Sequence, residues 1–144
     1  MSGIIGGAGS KSGVIGETEL DYEEGTWTAT VTGGSESSVS NTTGQYTKIG
    51  NLVYFSYYNG SWTMASASSH AQIHGLPFNA SNANWLYSVF QYVYGNAVDG
   101  NSTGGYITNN TDYMRFVDAG SDSLSTYIDG TTKALMVSGC YLVA

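Results

Sequence analysis

Apolar and polar residues alternate along much of the chain from Gly25 onward, with the two-residue period of half-buried β-strands. Trp27, Ala29 and Val31 fall on one side of a first predicted strand, and threonines fall on the other. Further runs that read as strands are Gln45–Ile49, Leu52–Tyr58, His70–Gly75, Tyr106–Thr108, Tyr113–Val117 and Leu124–Ile128. No segment shows a helical period over three turns. The pattern therefore predicts an all-β protein.

Turn signals separate these runs at short intervals. Gly50-Asn51 predicts a two-residue hairpin, and Asn59-Gly60 predicts a turn into a separate strand at Ser61–Ala65. Ser/Gly/Thr-rich composition predicts a loop from Gly33 to Gly44 and a break around Ser66–Ser69. The spacing predicts eight or nine short strands in an antiparallel β-sandwich, jelly-roll-like in character.

Two segments are apolar on both faces. Trp85–Tyr94 carries Tyr87, Val89 and Val93 on one side, with Phe90 and Tyr92 on the other. Asp129-Gly130 is a candidate type I′ turn that leads into the second segment, Lys133–Val143. Such strands are typical of a sheet centre or of a surface beneath a partner subunit. The two segments are therefore predicted to be central strands or to lie beneath a partner subunit.

The first 24 residues differ from the rest. Residues 1–16 are rich in glycine, and five of the 11 acidic residues lie in the following segment Glu17–Glu24. A glycine-rich segment cannot bury its few apolar side chains alone. We predict an attachment arm and acidic neck at residues 1–24 and a β-sandwich domain at 25–144. The apolar anchors of the arm are Ile4, Ile5, Val14 and Ile15.

Composition excludes several classes of function. Charged residues make up 10% of the chain, and Lys and Arg together number 4, too few for a helical protein. The net charge of −7 argues against nucleic-acid binding. The single cysteine, Cys140, excludes an intrachain disulfide framework and a multi-cysteine zinc site. We find neither a membrane-spanning apolar run nor a signal peptide, so the sequence offers no export route of its own.

Three segments, in their order and rough spacing, carry a family resemblance. They are Asp21-Tyr22-Glu23-Glu24-Gly25-Thr26-Trp27-Thr28, Gly44-Gln45-Tyr46-Thr47-Lys48-Ile49-Gly50-Asn51-Leu52-Val53-Tyr54-Phe55 and Ile73-His74-Gly75-Leu76-Pro77-Phe78. The chain resembles the small β-sandwich domains of tailed-bacteriophage virion proteins, which are common at the ends of tail fibres. Its glycine-rich opening also resembles the starts of short marine and freshwater phage structural proteins. The resemblance implies a non-enzymatic virion protein that forms a homotrimer and is assembled in the host cytoplasm.

Candidate catalytic and metal-binding residues are sparse. Asp118, Asp122 and Asp129 could supply the paired carboxylates of a glycosidase, but a short domain leaves little room for a substrate cleft. His70 and His74 are four residues apart in a predicted strand, about 13 Å, too far to share one ion. We therefore expect no enzymatic activity, no metal and no cofactor.

The tyrosine and tryptophan residues between positions 54 and 94 have two interpretations. They fill the core and a trimer interface, or some of them stack on sugar rings with polar partners. We expect contacts with an outside partner in three polar loops, Ala80–Asn84, Gly95–Gly105 and Ala119–Ser123. The candidate host-surface contacts are Trp85, Tyr94, Asn96, Asn101 and Tyr106.

Three functions fit these observations. The first is a short fibre or receptor-binding tip on a phage particle, attached to tail or baseplate proteins through residues 1–16 and contacting host surface glycans. The second is a capsid decoration protein whose arm binds the major capsid protein and stabilises the shell. The third is a carbohydrate-binding module, which explains the aromatic residues but not the arm.

Overall fold

The computed structural model of the protein describes residues 21–39, 42–84, 86–93, 96–98, 103–118, 124–125 and 130–144. These residues form strands and no helix, and every strand pairing is antiparallel. The eight strands of the described residues are β1 (Tyr22–Thr28), β2 (Thr30–Val39), β3 (Thr43–Ile49), β4 (Leu52–His74), β5 (Ser88–Val93), β6 (Gly104–Ile107), β7 (Met114–Val117) and β8 (Gly130–Leu142). The predicted all-β antiparallel class is confirmed.

The strands form one sheet that nearly closes on itself through β4. The first half of β4 pairs with β3 on one edge and with β8 on the other. Its second half pairs with β2 and, at Gln72 and Ile73, with β7. β5 joins β8 to β6, and β6 joins β7, so the path β4–β8–β5–β6–β7 returns to β4. β4 therefore belongs to both walls of the fold.

Side chains of β4 alternate strictly between the interior and solvent along its first half. Val53, Phe55 and Tyr57 are buried, whereas Tyr54 and Tyr58 are exposed. This two-residue period is what a strand with one covered face requires. The buried set meets residues of β1, β5, β7 and β8 in one core, whose largest fully buried side chains are Trp62, Tyr141, Phe55, Phe116, Ile73, Ile107, Met114, Leu135, Val53 and Val137.

Aromatic rings take the central place in this core that aliphatic side chains usually hold. Trp27 lies 6.4 Å from Phe55, and Phe55 lies 6.0 Å from Tyr141, measured between ring centroids. Both pairs have the edge-to-face geometry that favours ring contacts. Part of the dense tyrosine and tryptophan content thus fills the interior, as one of the two interpretations of the sequence expected.

Three local predictions are wrong, and all three concern strand length. The predicted loop Gly33–Gly44 is partly occupied by β2, which extends to Val39, and by the start of β3 at Thr43. The predicted turn at Asn59-Gly60 and the predicted break at Ser66–Ser69 lie inside β4, which runs unbroken for 23 residues. At Asn59 the β4–β8 pairing shifts register instead of reversing. An irregularity of this kind bends a strand without ending it.

The Tyr141 hydroxyl connects β8 to the segment after β4. It donates to the Phe78 carbonyl oxygen at 3.0 Å and accepts from the Phe78 backbone N–H at 3.3 Å. Burial raises the pKa of the Tyr141 phenol well above its ordinary value of 10.0, and burial likewise raises the pKa of Tyr57. The folded protein therefore keeps these protons at a pH where the unfolded chain has released them.

We expect alkaline pH to destabilise the fold through this difference. The stabilisation is complete below pH 10.0, the value of the unfolded tyrosine, and is lost as pH rises above it. Chemical denaturation at several pH values between about 8 and 11 measures the effect. Tyr141→Phe should flatten the pH dependence and cost about 1–2 kcal/mol at neutral pH, because two Phe78 backbone groups lose their partner. An unfolding free energy that does not change between pH 9 and 11 would contradict this account.

Candidate functional site: an apolar outer sheet face

Large apolar side chains are exposed on one continuous part of the sheet surface. Among the described residues, the exposed large hydrophobics are Tyr22, Ile49, Leu52, Tyr54, Tyr58, Tyr87, Val89, Val93 and Met136. Eight of them lie on β1, β3, the first half of β4, β5 and β8, and Tyr87 immediately precedes β5. We call the solvent side of these strands the outer sheet face. It is the most apolar surface that the described part of the chain presents.

Strand register places these residues in cross-strand rows. At one end Tyr22 pairs with Ile49, Ile49 with Leu52, and Leu52 with Leu142. At the other end Tyr58 pairs with Met136, and Met136 with Val93. Directly paired side chains on one face lie about 5 Å apart between Cβ atoms. Each end of the outer sheet face is therefore a contiguous apolar strip.

A polar row runs between the two apolar strips. Gln91, Ser138, Ser56 and Gln45 pair in sequence across β5, β8, β4 and β3. Tyr54 lies beside this row and pairs with Thr47 on one side and with Cys140 on the other. The face thus combines apolar area with uncharged hydrogen-bonding groups, a composition found at the centres of protein interfaces.

Two open depressions adjoin in the middle of the outer sheet face. Their volumes are about 420 and 460 Å³, and both are lined by Gln45, Tyr54 and Ser56. Glu24 lines the first, and Tyr58 and Met136 line the second. The Tyr22 hydroxyl donates to Glu24 Oε2 at 2.7 Å, and this hydrogen bond raises the pKa of the Tyr22 phenol. Both depressions are open to solvent, and tyrosine rings and polar side chains line them together.

The structure describes two of the five predicted host-surface contacts. Asn96 is exposed, and its Oδ1 accepts from the Ala134 backbone N–H at 2.8 Å, so it holds the segment after β5 against β8. Tyr106 lies half-buried in β6, with its ring 5.7 Å from that of Tyr87. The other three predicted contacts, Trp85, Tyr94 and Asn101, lie outside the described residues, as do the arm anchors Ile4, Ile5, Val14 and Ile15.

Sequence reasoning selected only part of the outer sheet face: Val89, Val93 and Met136 lie in the two segments predicted to be central strands or to lie beneath a partner subunit. Tyr54, Tyr58 and Tyr87 were within the aromatic-rich region, but Tyr22 and Ile49 carried no functional prediction. The sequence did contain a signal for this surface. Leu52–Tyr58 has only one polar residue, Ser56, and the strand predicted to pair with it ends in the apolar residue Ile49. A strand that is apolar on both faces indicates a second covered surface.

Chemistry-bearing groups are few in the described part of the chain. Of the three aspartates considered as glycosidase acids, Asp118 is described and half-buried, and Asp122 and Asp129 lie outside the described residues. His70 is exposed, whereas His74 is half-buried and stacked on Tyr113. No three described His, Cys, Asp or Glu residues are grouped for a shared metal ion. The described residues also include no helix that is long and apolar enough to cross a membrane.

Comparison with known proteins identifies no relative. No family model matches the chain, and neither a curated protein nor a solved structure matches it. The functional proposal below is therefore based on the geometry of the outer sheet face together with the phage resemblance of the sequence.

Proposed function

We propose that this chain is a non-enzymatic structural protein of a tailed-phage virion, a short fibre or receptor-binding tip that assembles as a homotrimer. The observation that carries this proposal is the clustering of the exposed large hydrophobics on the outer sheet face. In the trimer this face is covered by neighbouring copies. Soluble monomers rarely expose this many large apolar side chains on one face of a sheet, and such faces are typical of interaction sites.

The exposed area is sufficient for a stable interface. From their exposed fractions, the nine side chains present on the order of 1,000 Å² to solvent, compared with the ~800 Å² that each partner contributes to a standard-size interface. Four of the nine are tyrosines, which are enriched at interfaces, and Glu24 is the one charged residue that lines the depressions. A second copy of the chain is thus the occupant that area and composition favour, and the family resemblance gives the number of copies.

We expect the protein to have three times the chain mass of 15.2 kDa in native mass spectrometry at micromolar concentration. Met136→Glu should reduce it to the single-chain mass, because Met136 lies between Tyr58 and Val93 in an apolar strip. A buried, unpaired carboxylate costs several kcal/mol, which exceeds what one strip of such an interface contributes. The residue is 42% exposed in the single chain, so the variant should fold.

His70→Glu is the matched control for this variant. His70 is exposed on the second half of β4, outside the outer sheet face, so the same added carboxylate should leave the trimer intact. Circular dichroism checks that both variants keep the β fold. A wild-type protein that stays at 15.2 kDa, or a Met136→Glu variant as oligomeric as the wild type, would contradict assembly through this face.

The location of the chain on the phage particle distinguishes a fibre tip from a capsid decoration protein. Gold-labelled antibody against the chain, viewed on intact particles by electron microscopy, should mark the tail if the chain is a fibre tip. Label over the whole head would favour the capsid decoration protein instead. In either case residues 1–16 are the proposed attachment segment, and their deletion should abolish incorporation while the trimer forms normally.

One observation favours the carbohydrate-binding module as a second candidate. The adjoining depressions combine the rings of Tyr54 and Tyr58 with Gln45 and Ser56, a set that suits stacking and hydrogen bonding to a neutral sugar. The two candidates need the same surface and exclude each other. A folded monomer that binds neutral oligosaccharides, and that loses binding in Tyr54→Ala, would favour the module over the trimer.

A further inference from the structure

Arg115 is the only arginine in the chain, and it lies on the solvent side of β7, on the wall that does not form the outer sheet face. Register places it between Gln72 of β4 and Tyr106 of β6, and places Val89 of β5 next to Tyr106. The guanidinium thus lies in the middle of a second cross-strand row. None of these neighbours carries an opposite charge.

Tyrosine and histidine rings surround this arginine. Arg115 Nη2 donates to the Tyr113 hydroxyl at 2.8 Å, and the guanidinium carbon lies 5.2 Å from the Tyr113 ring centroid. The His74 ring stacks on the same Tyr113 ring, with centroids 4.6 Å apart. We call Gln72, His74, Tyr106, Tyr113 and Arg115 the Arg115 cluster. Together they make a half-buried patch of flat rings around one cation.

The charge of Arg115 is not neutralised by the described residues. Its interaction partners there are the hydroxyls of Tyr106 and Tyr113, and both described ion pairs involve other residues. Asp112, which precedes Tyr113 in the sequence, lies 3.9 Å from His74 Nδ1. In a chain of net charge −7, an arginine that has no carboxylate partner among the described residues is unexpected as a purely structural feature.

The burial of part of the Arg115 side chain also indicates a role beyond structure. Arg115 Nε is buried and has no hydrogen-bond partner among the described residues. Holding an arginine with an unsatisfied buried N–H costs free energy, and an apolar residue would fill the position more cheaply. A position that keeps an arginine at this cost is explained if the arginine has a further role, and its outward N–H groups suit a carboxylate, which arginine binds through two parallel hydrogen bonds.

We propose that the Arg115 cluster binds an acidic saccharide, with the sugar carboxylate on the outward guanidinium N–H groups of Arg115 and the sugar ring against Tyr106. The single cation matches one carboxylate per sugar unit, and the flat rings match the apolar face of a pyranose. A polyanion such as nucleic acid is disfavoured by the net charge of −7. This inference deepens the receptor-binding part of the proposed function by naming the class of receptor.

The test compares 3′-sialyllactose with lactose, which lacks the carboxylate, by titration calorimetry or ligand-observed NMR on the full chain. We expect binding of the sialylated sugar and at least tenfold weaker binding of lactose. Arg115→Gln should weaken sialyllactose binding at least tenfold, and Arg115→Lys should restore part of it, because lysine keeps the charge but not the two-pronged geometry. Tyr106→Ala should also weaken binding, since it removes the ring against which the sugar packs.

Lys133→Gln is the matched control, because it removes one positive charge from β8 and should leave sialyllactose affinity unchanged. Equal binding of lactose and sialyllactose, or an unaltered affinity in Arg115→Gln, would overturn the inference. Competition by inorganic phosphate at the same concentration as the sugar would assign the cluster to small anions and also overturn it. A trimer located on the tail that binds no acidic saccharide overturns this inference alone and leaves the proposed function standing.

Discussion

Gly75→Ala is expected to destabilise the fold by at least about 3 kcal/mol, whereas Gly50→Ala should cost about 1 kcal/mol. Both glycines have positive φ, +89° at Gly75 and +59° at Gly50, so alanine is strained at either position. The two sites differ in the room available for an added Cβ atom. A Cβ atom at Gly75 would overlap the Thr28 carbonyl oxygen, but a Cβ atom at Gly50 would have no neighbour within 4 Å.

The pair of variants separates backbone strain from steric exclusion. Urea denaturation of both, followed by tryptophan fluorescence, gives the two free-energy losses in the same assay. Gly75 follows the last residue of β4, and Thr28 is the last residue of β1, so relief of the overlap must move one strand end against the other. Equal losses for the two variants would show that this close approach is absent in solution.

Phe116→Ala is the core substitution for which we expect the largest loss, about 3–5 kcal/mol. Phe116 is fully buried in β7, and its ring lies 5.2 Å from Phe90 and 5.5 Å from Tyr92, both in edge-to-face geometry. These contacts connect β7 to β5 across the interior, although β6 lies between them in the sheet. Truncation would leave a cavity between β5 and β7, which do not pair with each other in the sheet.

Phe116→Leu is the matched control, since it keeps most of the volume and should cost about 1.5 kcal/mol or less. Gln91→Ala, on the exposed side of β5, should change stability by about 0.5 kcal/mol at most. Chemical denaturation of the three variants gives the order of losses. A Phe116→Ala loss no larger than that of Phe116→Leu would mean that the interior collapses around the truncation.

Much of the fold was predictable where a local signal was strong. The Gly50-Asn51 hairpin and the strands on either side of it were predicted, because the turn residues and the flanking alternation agree. The burial of Trp27, Ala29 and Val31 was also predictable from their common parity. In each case short-range chemistry and long-range packing specify the same structure.

The length of β4 was not predictable from such signals. Asn59-Gly60 has the composition of a turn, yet Asn59 is fully buried and its Nδ2 donates to the Tyr57 hydroxyl at 3.3 Å. Gly60 is closely approached by the Tyr58 ring, so a side chain there would displace that tyrosine. Pairing with β8 on one side and β2 on the other, far away in the sequence, keeps the chain extended there. Tertiary contacts overrode the local preference.

The candidate sites were predictable to different degrees. Apolar residues on both faces of β5 and β8 indicated a covered surface, and Val89, Val93 and Met136 are indeed exposed in the single chain. The Arg115 cluster was not predicted beyond Tyr106, because it depends on β4, β6 and β7 becoming neighbours. Sequence position gives no indication that Gln72 and Tyr106 flank the same arginine.

The path of β4 also has a consequence for synthesis on the ribosome. The β3–β4 hairpin is complete early, but Leu52 of β4 pairs with Leu142 of β8, so the wall closes only after β8 has been translated. At typical elongation rates the interval is roughly 5–15 s. During that time Val53, Phe55 and Tyr57 have no partner strand on one side. The nascent chain therefore has a window in which it needs a holding chaperone, and slower translation of the last third would lengthen that window.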